Sequence, residues 1–74
     1  HQRISNMFVL TKSGAALRHD LIYQFNIEEH EEKFHIFCYE IEPAVPIEYS
    51  ISEHDTFEEA YKELSELVDL INKQ

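Results

Sequence analysis

Asp55-Thr56-Phe57-Glu58-Glu59-Ala60-Tyr61-Lys62-Glu63-Leu64-Ser65-Glu66-Leu67-Val68-Asp69-Leu70-Ile71-Asn72 decides the fold. Thr56 stands three residues before Glu59, the spacing of a capping box, with Asp55 as a competing cap. Phe57, Ala60, Tyr61, Leu64, Leu67, Val68 and Ile71 then recur at helical intervals, and no Gly or Pro interrupts them. Glu58, Glu59, Lys62, Glu63, Glu66 and Asp69 take the other side. The spacing predicts an amphipathic helix over 56–72 whose apolar stripe packs on something else in the chain.

What it packs on stands upstream. Residues 33–41 carry Phe34, Ile36 and Cys38 on one face of an extended chain, and His35, Phe37, Tyr39 and Ile41 on the other. Apolar groups on both faces mark a central strand, ended at Glu42-Pro43 because proline donates nothing to a ladder. Residues 20–28 alternate: Leu21, Tyr23, Phe25 and Ile27 against Ile22, Gln24, Asn26 and Glu28, the period of a half-buried strand. In residues 45–52, Val45, Ile47, Tyr49 and Ile51 alternate with polar positions, and Pro46 points to a sheet edge or a bulge. Residues 6–12 form a short apolar run stopped by Ser13-Gly14, a turn signal built on the only glycine in the chain. Residues 13–19 fit a strand or one helical turn equally well. The run Glu28-Glu29-His30-Glu31-Glu32 reads as a hairpin loop.

The expected fold is α+β: an antiparallel meander of three to four strands with one C-terminal amphipathic helix across a face. Seventy-four residues make a single domain, 1–74, and a chain of that size leaves much apolar surface in water.

Charge is the strongest compositional signal. The net value is −9. Residues 1–20 hold three cations against Asp20, a net of +2; residues 21–74 hold fourteen acids against Lys33, Lys62 and Lys73, a net of −11. Such a surface repels phosphate backbones and anionic lipid, so nucleic acid and membrane are disfavoured and a basic protein is favoured as partner. Acidity also keeps a small protein soluble, which needs no partner at all. No apolar run approaches the roughly 20 residues of a membrane span. One cysteine, Cys38, permits no intrachain disulfide. With no basic-then-apolar leader at the first residues, a cytoplasmic location is expected.

Candidate chemistry is thin. Five histidines (His1, His19, His30, His35, His54) among many carboxylates suggest a metal, yet no ligand spacing recurs, and His35 and Cys38 fall on opposite strand faces. Cys38 shares its face with Phe34 and Ile36, a setting that raises a thiol pKa and favours a core cysteine over a nucleophile. There is no Gly-rich phosphate loop and no Ser/His/Asp arrangement. No catalytic residue, metal ligand or cofactor is expected, and the chain reads as a non-enzyme.

A binding role leaves two surfaces. One is acidic: Glu28, Glu29, Glu31 and Glu32 in the loop, with Glu59, Glu63 and Glu66 on the helix. The other is the sheet face bearing Phe37 and Tyr39, which nothing in a single-helix fold covers unless residues 1–18 or a second copy do so. The expected function is a small acidic module that regulates or inhibits a basic protein, in the manner of an immunity protein, antitoxin or phage inhibitor. The alternative is a self-associating structural domain, a homodimer through the aromatic face or the 45–52 edge.

Strands leading into Asp55-Thr56-Phe57-Glu58-Glu59-Ala60 resemble the N-terminal domain of HicB-type antitoxins, over roughly residues 20–72 by strand order and helix cap. The resemblance implies an antitoxin-like role. That family's Pro-Asp-Leu-Pro-Gly segment is replaced here by Glu42-Pro43-Ala44-Val45-Pro46. No DNA-binding module follows the helix in this sequence. The chain is not assigned to the family, and a HicB-like antitoxin fragment stands as a further alternative for its function.

Overall fold

A computed structural model describes residues 7–41 and 44–74. The elements run β1 (Phe8–Leu10), β2 (Ala16–Arg18), a 3-10 turn (His19–Leu21), β3 (Ile22–His30), β4 (Lys33–Glu40), β5 (Ile47–His54) and α1 (Phe57–Asn72). The fold is α+β. β3, β4 and β5 form an antiparallel meander with β4 in the middle, as its two-sided apolar pattern requires.

β1 and β2 do not extend that sheet. They pair with each other as a separate two-stranded hairpin, Val9 opposite Leu17, both buried. Thr11 builds its turn: Gly14 N–H donates to the Thr11 carbonyl at 3.0 Å, and Ala15 N–H donates to Thr11 Oγ1 at 3.1 Å. Gly14 sits at φ +99°, which a β-carbon resists, so the single glycine stands where the backbone needs it. The hairpin reaches the sheet through Lys12 N–H, which donates to the Ser50 carbonyl of β5 at 2.7 Å. Of the residues 13–19, left open between strand and helical turn, Ala16–Arg18 form β2, and only His19 joins the 3-10 turn that follows. The expected strand 6–12 shortens to Phe8–Leu10, its Asn6 lying outside the described residues, as do Glu42 and Pro43 after β4.

Two bulges correct the simple alternation. In β3, Ile22 pairs with Glu40 and Gln24 with Tyr39, so Tyr23 is an extra residue. It leaves the Phe25/Ile27 set, and its ring lies 6.2 Å from that of Tyr39 on the opposite face. In β5, Ile36 pairs with Ser52 and Phe37 with Ser50, making Ile51 the extra residue. Of the two readings Pro46 offered, the edge position is the one found: β5 lies at the sheet edge, and the bulge at Ile51 stands away from Pro46, which precedes the strand. β5 itself runs two residues later than expected, Ile47–His54.

The 28–32 loop also contracts. Glu28, Glu29 and His30 belong to β3, His30 pairs with Lys33, and only Glu31 and Glu32 form the turn. Their φ values are +53° and +64°, the signature of a two-residue type I′ turn.

Thr56 caps α1 as its spacing predicts, Oγ1 accepting from Glu59 N–H at 3.1 Å. The helix lies over β4 and β5 and reaches β3. Ile36, Cys38 and Ala60 are 0% exposed and mark the centre of the contact. The buried stripe is narrower than the periodicity implies. Leu64, Leu67 and Ile71 are half-buried, whereas Phe57 and Tyr61 remain 46% and 58% exposed. The helix therefore carries two apolar seams, one at 60, 64, 67 and 71 toward the sheet and one at 57, 61, 64 and 68 at its margin. A radius of gyration of 12.9 Å fits this under-covered shape; a compact 74-residue domain has about 11 Å.

Candidate functional site: the open face of the sheet

Alternation along β4 turns His35, Phe37 and Tyr39 away from α1, and all three remain partly exposed. Cross-strand partners share a face, so Glu28 joins His35 there, Asn26 joins Phe37, and Glu48 of β5 joins Tyr39. The rings form two groups on this face. His35 stacks on Phe37 with centroids 5.8 Å apart, His30 stands edge-on to both at 5.6 and 5.8 Å, and Tyr23 tilts against Tyr39.

Tyr39 is the electrostatic centre. Its hydroxyl donates toward Glu48 Oε2 at 2.7 Å and Glu28 Oε2 at 3.1 Å, and Asn26 Nδ2 donates to it at 3.5 Å. The Glu48 hydrogen bond, then burial, then Glu28 push the phenol up to about 12, because losing its proton would set a third anion beside two carboxylates. The Glu28 carboxyl is held below its ordinary value, first by its contact with His30 Nε2 at 3.1 Å and then by Tyr39. The Glu53 carboxyl, opposite His35, is lowered by its ion pair with Lys12.

The nine residues expected to contact a partner divide among four places. Glu28, Phe37 and Tyr39 come together on the open face. Glu29 lies opposite Phe34, on the face toward the helix. Glu31 and Glu32 stand at the hairpin tip. Glu59, Glu63 and Glu66 run along the flank of α1 over β5, where Ser52 Oγ donates to Glu63 Oε2 at 2.8 Å and His54 Nε2 lies 3.4 Å from Glu63 Oε1. Glu63 is therefore a bridge to the sheet and no purely outward acid. Glu48, Asn26 and Tyr23 complete the face and were not singled out from sequence. Glu48 stands opposite Tyr39 only in the observed register, and Tyr23 turns over only because of its bulge.

Cys38 lies on the other face, buried beneath α1, and is a free thiol. Burial, helped by the Glu40 carboxylate, pushes it up from 9.0 to about 11. A group that ionises more readily when unfolded stabilises the fold fully below the unfolded pKa, and loses that contribution as pH climbs through the folded one. The urea midpoint is accordingly expected to drop between pH 9 and 11, a window set by the Cys38 values, with Tyr39 extending it upward. Cys38→Val should make the drop shallower; an identical profile would show that the thiol is not the group involved.

Among the described residues, no group of three or more His, Cys, Asp or Glu side chains converges as metal ligands do, and no helix is long and apolar enough to cross a membrane. Comparison with protein-family models, curated proteins and solved structures returned no match.

Proposed function

We propose that this chain is a small acidic protein-binding module that docks on a basic protein and regulates or inhibits it, within the cytoplasm, without catalysis of its own. One observation carries the reading: the open sheet face presents half-exposed aromatic rings framed by Glu28 and Glu48 on a chain of net charge −9. Aromatic groups supply contact area at low entropic cost, and the carboxylates supply steering and partner choice. An immunity protein, an antitoxin or a phage inhibitor works by such occlusion.

The test is affinity capture from the native host followed by reconstitution with the purified partner. Binding steered by charge should weaken about tenfold between roughly 0.05 and 0.3 M salt, and the captured protein should be basic. Salt-indifferent binding, or capture of acidic proteins only, would overturn the reading. Self-association is the second reading, favoured by the exposed Phe57–Tyr61 margin of α1. Light scattering on the same preparation decides it, since a strict monomer of 8.8 kDa at high concentration leaves it no place.

A further inference from the structure

The hydrogen-bond arithmetic at Tyr39 narrows what the open face accepts. A phenol has one proton, yet two carboxylate oxygens approach its oxygen, at 2.7 and 3.1 Å. Whichever acid lacks that proton faces a phenol lone pair at hydrogen-bonding distance. His30 Nε2, 3.1 Å from Glu28 Oε1, and the Asn26 amide serve Glu28, which leaves the phenol proton to Glu48 at 2.7 Å; each carboxylate still has lone pairs to spare for an incoming donor. The two carboxylates come from strands on opposite sides of β4, and the Tyr39 ring between them is partly exposed. A flat cation with several diverging donors satisfies every part of this arrangement at once. An ammonium group is a compact point charge that stays strongly hydrated and spans the two acids poorly.

Resting on the proposed basic partner, we infer that the open face clasps an arginine side chain of that partner, its guanidinium laid on the Tyr39 ring beside Phe37's strand position and hydrogen-bonded to Glu28 and Glu48. Charge complementarity selects this occupant over a second copy. Another −9 chain would bring the same acids against these, whereas guanidinium gains from the carboxylates and from the ring faces together. The hairpin tip and the α1 flank then guide the approach and make no specific contact.

The probes are acetyl-Gly-Arg-Gly-amide and acetyl-Gly-Lys-Gly-amide, titrated into the isotope-labelled full chain and followed by amide and aromatic chemical shifts. Saturable shifts are expected at Asn26, Phe37 and Tyr39, with the arginine peptide at least about fivefold tighter than the lysine peptide. Glu28→Gln combined with Glu48→Gln should weaken it about tenfold or more. Tyr39→Phe, which keeps the ring, should stay within about twofold. If the double variant loses its dispersed spectrum, Glu48→Gln alone carries the comparison, with about a threefold loss expected. Equal response to both peptides, shifts centred on Glu59, Glu63 and Glu66, or no saturation with either would overturn the clasp. Salt-sensitive docking of a purified basic partner mapping to α1 would remove the clasp and leave the proposed function standing. Arginine binding here with no basic partner captured would do the reverse.

Discussion

Ile36→Ala is expected to cost about 3–4 kcal/mol of folding free energy, read from urea unfolding midpoints. Ile36 is 0% exposed at the middle of the central strand, between Ile27 and Ser52 on its neighbours and on the face that meets α1. Removing its outer carbons leaves a void that strands fixed on both sides close only in part. The loss is large against the whole, because a domain of this length has about 4–11 kcal/mol in total. Phe37→Ala is the internal control. Phe37 is the bulkier side chain, yet it sits half-exposed on the open face, so about half the Ile36 loss is expected, from its stacking on His35 and its remaining burial. If Phe37→Ala costs the more of the two, the open face is a second core and the docking surface proposed for it is mistaken.

That contrast between adjacent residues of β4 was legible from the sequence, because a strand apolar on both faces has to be central. The helix was legible for a similar reason. Thr56 Oγ1 takes the Glu59 N–H within the helix's own first turn, and 3.6-residue periodicity survives any tertiary setting. The Ser13-Gly14 turn was legible too, since only glycine takes its φ without penalty. Pairing was the part that could not be read. A bulge adds one residue without any compositional mark, so Tyr23 and Ile51 look in sequence like ordinary members of an alternating run. Everything that depends on register past the bulge was hidden with it. Glu48 opposite Tyr39 is the main loss, because the clasp geometry exists only through that pairing and the Glu28 contact from the other side. The hairpin's separation from the sheet was likewise invisible: Phe8–Leu10 has strand composition, but composition does not name a partner strand.

The marginal seam of α1 has a related origin. A helix 16 residues long rests on a three-stranded sheet along one line only. Apolar positions spanning more than about 100° of its circumference overflow that line. Phe57 stays in edge-on contact with Phe34, 6.2 Å between centroids, and Tyr61 tilts against Phe57 at 5.8 Å, so the overflow is partly ordered by its own rings. Periodicity measured how much of the helix is apolar; the width of the sheet determined how much is buried.

Replacing the hairpin tip by Asn-Gly, Glu31→Asn with Glu32→Gly, is expected to stabilise the fold by about 1–2 kcal/mol, a rise in melting temperature of about 5–15 °C. Both residues hold positive φ, where a β-carbon meets the following carbonyl and each ordinary residue loses of order 1 kcal/mol or more. Asparagine tolerates that region and glycine enters it freely; the extra freedom glycine gives the unfolded chain offsets part of the gain. Two like charges also leave a run of four acids around His30. The same variant separates stability from recognition, because strained backbone persists where something selects for it, and an acidic tip is a plausible first point of contact for a basic protein. If the arginine clasp is correct, arginine-peptide affinity should stay within about twofold, since no hydrogen bond among the described residues joins Glu31 or Glu32 to Glu28, Glu48 or Tyr39. The partner's association rate should fall while its dissociation rate holds, as expected when a peripheral charge steers encounter. A melting temperature that does not rise would mean the two glutamates make local contacts that repay their conformation. A rise accompanied by faster dissociation would place the tip inside the interface and move the recognition surface to the end of the hairpin.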